Sequence, residues 1–407
     1  MKILFVSEYY PPKISGGGEI NIASLANSLS SHGLDIFVLT SYHPSLNKFE
    51  IIDGVKIIRA LKTGSNPLDF KENFKRSWYF PKSVKIVTPK IVSKFKPDII
   101  HLTGASLIAA PQLSKLQIPL VATIESYPSL CPKGDRIYHG QEECQTRCSF
   151  RKFSDCQKKS SEIGKMKNSI YLKYNPLFKR YIYNHYQKLN SALRYCHLIA
   201  VSKYVQELLV RHGLNSEVIP NFVNLNEYSK FKRPKNNKLK ILYAGSLTRF
   251  KGPQTLLKAI MGIDCRCELY GEGPLKINLH NFISEHKLDA EIFDSIPHSE
   301  MPKLYSNYDV VVFPSLWPEP FGRIPIEAMA SGTPVIGSNI GAVKEVIGSN
   351  GLLFKPNDPE DLHHQLKEIQ KKNVSNRLVH KGLVQVKEYS EKIVINKLIR
   401  LYEDLLK

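Results

Sequence analysis

Apolar positions along this chain fall into short continuous runs, separated by segments in which apolar residues recur every three or four positions. Runs at 2–7, 35–40, 55–60, 98–103, 119–124 and 197–202 fill the first half, and runs at 240–245, 267–271, 290–293, 309–313, 333–337 and 352–354 the second. Parallel strands covered by helices on both faces need such continuous runs, whereas a half-exposed strand alternates. Two successive series of strand and helix predict two doubly wound α/β domains. The polar, proline-bearing stretch RPKNNK at 233–238 reads as the linker, placing one domain at 1–232 and the other at 239–387. Ligands of such sheets bind beyond the carboxyl ends of the strands, so a central cleft between facing domains is the expected site.

The densest chemistry lies at 309–338, DVVVFPSLWPEPFGRIPIEAMASGTPVIGS, which predicts a buried strand, a proline-rich turn, a helix opening at Gly322 and a second strand. Glu319 precedes that helix, and Glu327 lies about one and a half turns into it. The unpaired N–H groups of a helix start favour an anion, and small Gly322 allows close approach. A phosphate flanked by two carboxylates that grip hydroxyls describes a nucleotide-sugar pocket. Two other turns share the strand-to-helix pattern. The first strand runs into SEYYPPKISGGGEI, where Gly16, Gly17 and Gly18 either present N–H groups to a phosphate or simply punctuate the turn. The second half opens with ILYAGSLTRFKGPQTLLKAI, whose Arg249 and Lys251 suit a leaving diphosphate or a solvated basic loop.

Length and charge narrow the picture. A chain of 407 residues, 42% apolar, is long enough for two cored domains. The opening run turns polar at Glu8 and reads as a strand, not as a secretory leader, and nothing approaches ~18 consecutive apolar residues. The expectation is a cytoplasmic protein, soluble or peripheral on the inner face of the cell membrane. Stretches 56–96 and 147–203 carry 11 Lys/Arg against 2 Asp/Glu and 13 against 2, so together they account for the net charge of +20. Aromatics interleave both: Phe70, Phe74, Trp78, Tyr79 and Phe80 in the first, Tyr171, Tyr174, Phe178, Tyr181, Tyr183 and Tyr186 in the second. That mixture suits an anionic membrane surface or a phosphate-bearing acceptor as well as a plain solvated face, and nucleic acid less.

Taken together, GSLxxxKG (245–252), YGEGP (270–274), PSLWPEPFG (314–322), EAMASGTPVI (327–336) and GLLFKPNDPEDL (351–362) resemble family four of the retaining glycosyltransferases. The resemblance spans nearly the whole chain and is densest from 245 to 362. It implies the GT-B fold, two Rossmann-like domains facing a central cleft, and a last helix, 388–407, that crosses back onto the first domain. Ile393, Ile395, Leu398, Ile399, Leu401, Tyr402 and Leu405 form that helix's apolar face. It further implies transfer of a sugar from a nucleoside diphosphate donor to a glycan or lipid-linked hydroxyl, with no cofactor required. By resemblance, Glu327 holds the ribose, Glu319 contacts the transferred sugar, backbone at Phe321 and Gly322 binds phosphate or sugar, and Lys251 faces the diphosphate. Gly271 and Arg249 join these donor contacts, and the loop Gly16, Gly17, Gly18 closes on the diphosphate from the other domain.

Two departures stand out. The family carries Arg directly after the glycine that is Gly245, where this chain has Ser246; Arg249 is the candidate substitute. Many relatives place a His at the end of a first-domain strand, where ATIESYPSLCP has Glu125. Glu125 is then a sugar ligand, a proton acceptor for the acceptor hydroxyl, or a sign that transfer is impaired. The rival to an enzyme is a noncatalytic nucleotide-sugar or glycan binding protein. His101, ending the neighbouring strand, is a weaker candidate for the same cleft. Catalytic roles thus fall to Glu319, Lys251 and Glu125. Finally, Cys131, Cys144, Cys148 and Cys156 cluster within 26 residues. In an intracellular enzyme they suit a structural Zn2+ or, less well, an iron–sulfur cluster, as alternatives to reduced free thiols.

Overall fold

A computed structural model describes residues 1–13, 16–64, 70–139, 142–159, 174–229, 231 and 238–407. The expected linker at 233–237 and Tyr171 lie outside them, as do the side chains of Phe70 and Phe74. The chain divides into two compact units, Met1–Ile219 with Ile395–Lys407, and Pro220–Val394.

The first unit is built on an eight-stranded sheet of order β10-β9-β6-β5-β1-β2-β4-β3. Its strands are β1 (Lys2–Val6), β2 (Asp35–Ser41), β3 (Phe49–Ile52), β4 (Val55–Leu61), β5 (Ile99–Thr103), β6 (Leu120–Ile124), β9 (His197–Ala200) and β10 (Glu217–Val218). All neighbours are parallel except β3 and β4, which form an edge hairpin. The sequence reading missed β3, although its turn carries the Asp53-Gly54 pair, both at positive φ as a tight hairpin requires. Every residue of β5 and β6 is buried, as the unbroken apolar runs predict. A separate two-stranded ribbon, β7 (Ile137–Tyr138) and β8 (Glu142–Glu143), follows β6.

The second unit carries a six-stranded, wholly parallel sheet of order β13-β12-β11-β14-β15-β16. These strands are β11 (Leu239–Ala244), β12 (Cys265–Tyr270), β13 (Ala290–Phe293), β14 (Val310–Phe313), β15 (Val335–Ser338) and β16 (Leu352–Phe354). Ile241, Cys267, Val310, Val312 and Ile336 pack with Leu256, Leu257 and Leu362 in one core. In each unit the strand order reverses once, between β1 and β5 and between β11 and β14. At such a switch point the strand-to-helix loops leave in opposite directions and open a crevice.

The last helix, Glu391–Leu405, buries Val394, Ile395, Leu398, Leu401 and Tyr402. Its anchor in the first unit is polar. The Tyr402 hydroxyl lies 2.6 Å from His101 Nδ1, and His101 Nε2 lies 2.8 Å from Thr123 Oγ1. His101 is fully buried, stacks on Phe5 and has both ring nitrogens partnered, and burial pushes its pKa down to about 3. It is a core residue locking strands β5 and β6 to the last helix, which corrects its candidacy for the cleft.

Candidate functional site

In the second unit the loops after β11 and β14 meet over the switch point. Gly252 makes this possible: its φ is +72°, and a Cβ there would stand 1.9 Å from the Pro314 carbonyl oxygen. With the backbones in contact, the Leu316 and Trp317 amides both donate to the Phe250 carbonyl, at 2.7 and 3.2 Å. Lys251 therefore arrives beside the proline-rich turn, its Nζ 2.5 Å from Glu319 Oε1 and 5.1 Å from the Trp317 ring centroid. Ser315, fully buried, donates from Oγ to the same carboxylate oxygen at 3.0 Å. Glu319 is thus fixed by a cation and a hydroxyl from two loops, and it is nearly buried while Lys251 keeps an exposed side.

Gly322 caps the helix Arg323–Ala330 at φ +104°, a conformation that side chains resist, and turns the chain from Glu319 into the helix. Inside that helix Glu327 is 3% exposed and ringed by donors. Tyr305 donates to Oε2 at 2.8 Å, His298 Nε2 lies 3.1 Å from Oε1, and Arg323 Nε lies 3.2 Å from Oε1. Burial by itself would raise this carboxyl's pKa. The His298 hydrogen bond, the Arg323 charge and the Tyr305 hydroxyl outweigh it and hold the group at about 2. Glu327 is therefore an acceptor throughout the physiological range and cannot serve as a proton donor. The sequence reading found both carboxylates but missed Ser315, Tyr305 and His298. Tyr305 and His298 come from the segment before β14, and no local spacing ties them to Glu327.

The remaining donor candidates divide by role. Arg249 is exposed on the short turn Arg249–Lys251. Phe321 is buried edge-on against Tyr389. Gly271 gives its N–H to the Phe293 carbonyl at 3.0 Å, and a Cβ on it would meet the Gly245 oxygen at 1.9 Å, so it shapes the two loops.

In the first unit, Gly16 precedes the helix Gly17–Ser31 and donates its N–H to Glu19 Oε2 at 2.9 Å. Gly18 lies against Glu125, whose Oε2 would be 3.2 Å from an added Cβ; the glycine loop after β1 and the carboxylate after β6 thus share one place. No atom of the described residues outside its chain neighbours stands within 4 Å of a Cβ built on Gly17. Beside them stands a group absent from the sequence reading. Glu8, buried at the end of β1, receives both Arg76 Nε and Nη2 at 2.7 Å and the Thr63 hydroxyl at 2.6 Å. Its carboxylate binds residues 55 and 68 positions away, which no sequence window reveals.

Cys131, Cys144, Cys148 and Cys156 all line one cavity of about 20 Å³ beside the β7–β8 ribbon. Burial pushes the Cys148 thiol up to about 12, and the other three cysteines add to the effect. As the side chains stand, no group of three or more His, Cys, Asp or Glu among the described residues is poised to hold a metal ion. Among the described residues no helix is long and apolar enough to cross a membrane.

Comparison with known proteins gives a consistent result. Residues 15–227 match the family model for Glycosyltransferase Family 4, and residues 226–390 that for Glycosyl transferases group 1. An uncharacterized glycosyltransferase of Methanocaldococcus jannaschii is 26% identical over 100% of this chain and 99% of its own. Among solved structures, sucrose-phosphate synthase from Thermosynechococcus elongatus superposes with a TM-score of 0.75 at 20% identity, covering 99% of this chain and 98% of that one. The Anabaena protein HepE, in complex with UDP and glucose, gives 0.67 at 17% identity over 99% and 100%.

Proposed function

The chain belongs to glycosyltransferase family 4 and has the GT-B fold, and from that premise we propose that it is a retaining transferase. It moves a hexose-like sugar from a nucleoside diphosphate donor to a hydroxyl of a glycan or lipid-linked acceptor. The observation that carries this reading is the pair of carboxylates set at two depths of one helix start, Glu319 held by Lys251 and Ser315, and Glu327 held by Tyr305, His298 and Arg323.

An ionised carboxylate accepts two hydroxyl hydrogens, which suits Glu327 to the vicinal hydroxyls of ribose. Lys251 supplies positive charge as the sugar–phosphate bond breaks and charge collects on the leaving diphosphate. Glu319, already its partner, then turns a carboxylate oxygen to the transferred sugar. Neither carboxylate is an acid/base couple, so rate comes from orientation and from stabilising the leaving group. Backbone at Phe321 and Gly322, with Arg249, completes the donor contacts. In the first unit, the Gly16 to Gly18 loop and Glu125 lie together, Glu125 acting on the acceptor hydroxyl or the sugar.

A lipid-linked acceptor at the inner face of a membrane fits the surface of the first unit. The helix Phe70–Phe95 exposes Lys75, Trp78, Tyr79, Lys82, Ile86 and Lys90 on one stripe, alternating cations with interfacial aromatics. Ser77 Oγ lies 2.7 Å from the Tyr181 hydroxyl and ties this helix to the helix Pro176–Ala192, whose Leu177 is 80% exposed.

The deciding experiment incubates purified protein with UDP- and GDP-sugars and a panel of lipid-linked and glycan acceptors, and follows the anomeric configuration of the product. A product with inverted configuration refutes the retaining assignment. Nucleotide affinity unchanged in Glu327→Ala refutes the ribose role.

A further inference from the structure

We propose that Cys131, Cys144, Cys148 and Cys156 form a tetrathiolate site for a single Zn2+ ion that staples the excursion following β6. The four residues come from different local structures. Cys131 lies in a turn closed by the Gly134 amide on the Cys131 carbonyl at 3.0 Å, and Cys144 follows β8, its amide on the Arg136 carbonyl at 2.7 Å. Cys148 sits in the next loop and Cys156 on the helix Phe150–Lys159. Residues 25 positions apart at the extremes nonetheless wall one cavity. About 20 Å³ accommodates one ion, since a single water needs ~10–15 Å³. The four iron and four sulfur atoms of a cubane cluster do not fit that space.

A second, independent feature points to negative charge inside. Arg136 lines the same cavity and is only 2% exposed. Its Nη2 donates to the Cys144 carbonyl, while its buried Nε has no hydrogen-bond partner among the described residues. A buried guanidinium with an unmet donor is costly unless an anion stands nearby. Zn2+ with four thiolates carries a net charge of −2, and Lys133 and Lys152 also line the cavity. Lys133 already pairs with Asp135 at 3.1 Å and Lys152 donates to Thr146, so the unmet Arg136 donor is the part of this lining that four neutral thiols leave unexplained.

The described elements around the cavity are short. Between β6 and the helix Pro176–Ala192, the described residues hold two strands of two residues and one helix of ten, whose Phe153 packs with Tyr183 and Tyr186 in a small cluster. Short ribbons and helices packed on a small cluster are commonly tied together by a metal or a disulfide. As placed, the Cys144, Cys148 and Cys156 thiols lie 3.7, 3.5 and 3.6 Å from the carbonyls of Thr146, Ser149 and Ile137. Binding exchanges these contacts for the ion, and the four thiols release their protons to solvent.

The test is elemental analysis of the full chain, purified without chelators. The expected content is about one zinc per chain, falling below about a tenth of that in Cys148→Ser. Should the serine variant misfold, two further readouts decide. Co2+ substituted into the native protein should give thiolate charge-transfer and the intense visible bands of a tetrahedral site, and Arg136→Gln should weaken zinc retention by roughly tenfold or more. Folded protein with no zinc and four thiols open to a disulfide reagent, unaffected by added Zn2+, overturns the proposal. So does iron with acid-labile sulfide, or a mass showing two disulfides.

Discussion

Lys251 and Glu319 are 68 residues apart in the chain and 2.5 Å apart in space, joining the loop after β11 to the loop after β14 across the point where the strand order reverses. On the proposed reading a donor diphosphate shares or replaces this ion pair, so the two side chains should act as one unit. Lys251→Met should lower kcat/KM about 10²- to 10³-fold, and Glu319→Gln should cost a comparable factor. The double variant should lose little more than the worse single one, as groups that work together do. Steady-state kinetics with the cognate donor checks this, and fully additive losses would separate the two roles.

Glu327 carries a pH signature. Its folded pKa, about 2, lies below that of the unfolded chain, so it contributes stability above the unfolded value and loses it as pH falls through the folded one. The loss should run between about pH 4.5 and 2 and reach about 3 kcal/mol. Chemical denaturation of wild type and Glu327→Gln across that range should converge toward acid; parallel curves would show that the carboxylate is not held as described.

His101 responds over a different window. Buried and neutral at a pKa of about 3, it makes the fold lose stability as pH drops from about 6.5, because the unfolded chain takes up the proton first. Tyr402→Phe removes the partner at 2.6 Å and should destabilise the first unit by about 1–3 kcal/mol, as an orphaned buried polar group does. Thermal melts at neutral pH measure it.

Glu8 is the group that sequence motifs leave out. Arg76→Ala strands a buried carboxylate and should destabilise by about 2 kcal/mol or more, while the double variant Glu8→Gln with Arg76→Gln should recover part of that loss. A double-mutant cycle gives the coupling.

The aromatic and basic stripe on Phe70–Phe95 predicts sedimentation with phosphatidylglycerol vesicles, not with phosphatidylcholine ones. Trp78→Ser with Lys82→Glu should weaken this binding by tenfold or more, each lysine being worth about 1 kcal/mol near an anionic surface. Added salt should weaken it too, by screening.

By itself, the sequence determined the layers of the fold and where the chemistry-bearing turns of the second unit lie. Continuous apolar runs specify parallel strands because every residue of such a strand must be buried, and glycines, Lys251, Glu319 and Glu327 mark the turns because local backbone and charge requirements are written locally. Only the tertiary structure decided what those residues touch. Tyr305 and His298 reach Glu327, Arg76 and Thr63 reach Glu8, and Tyr402 reaches His101 because parallel crossovers bring distant segments side by side. The same physics moved His101 from a site candidate to the core: its surroundings, set by strands and a helix some 300 positions further on, hold it dry and neutral.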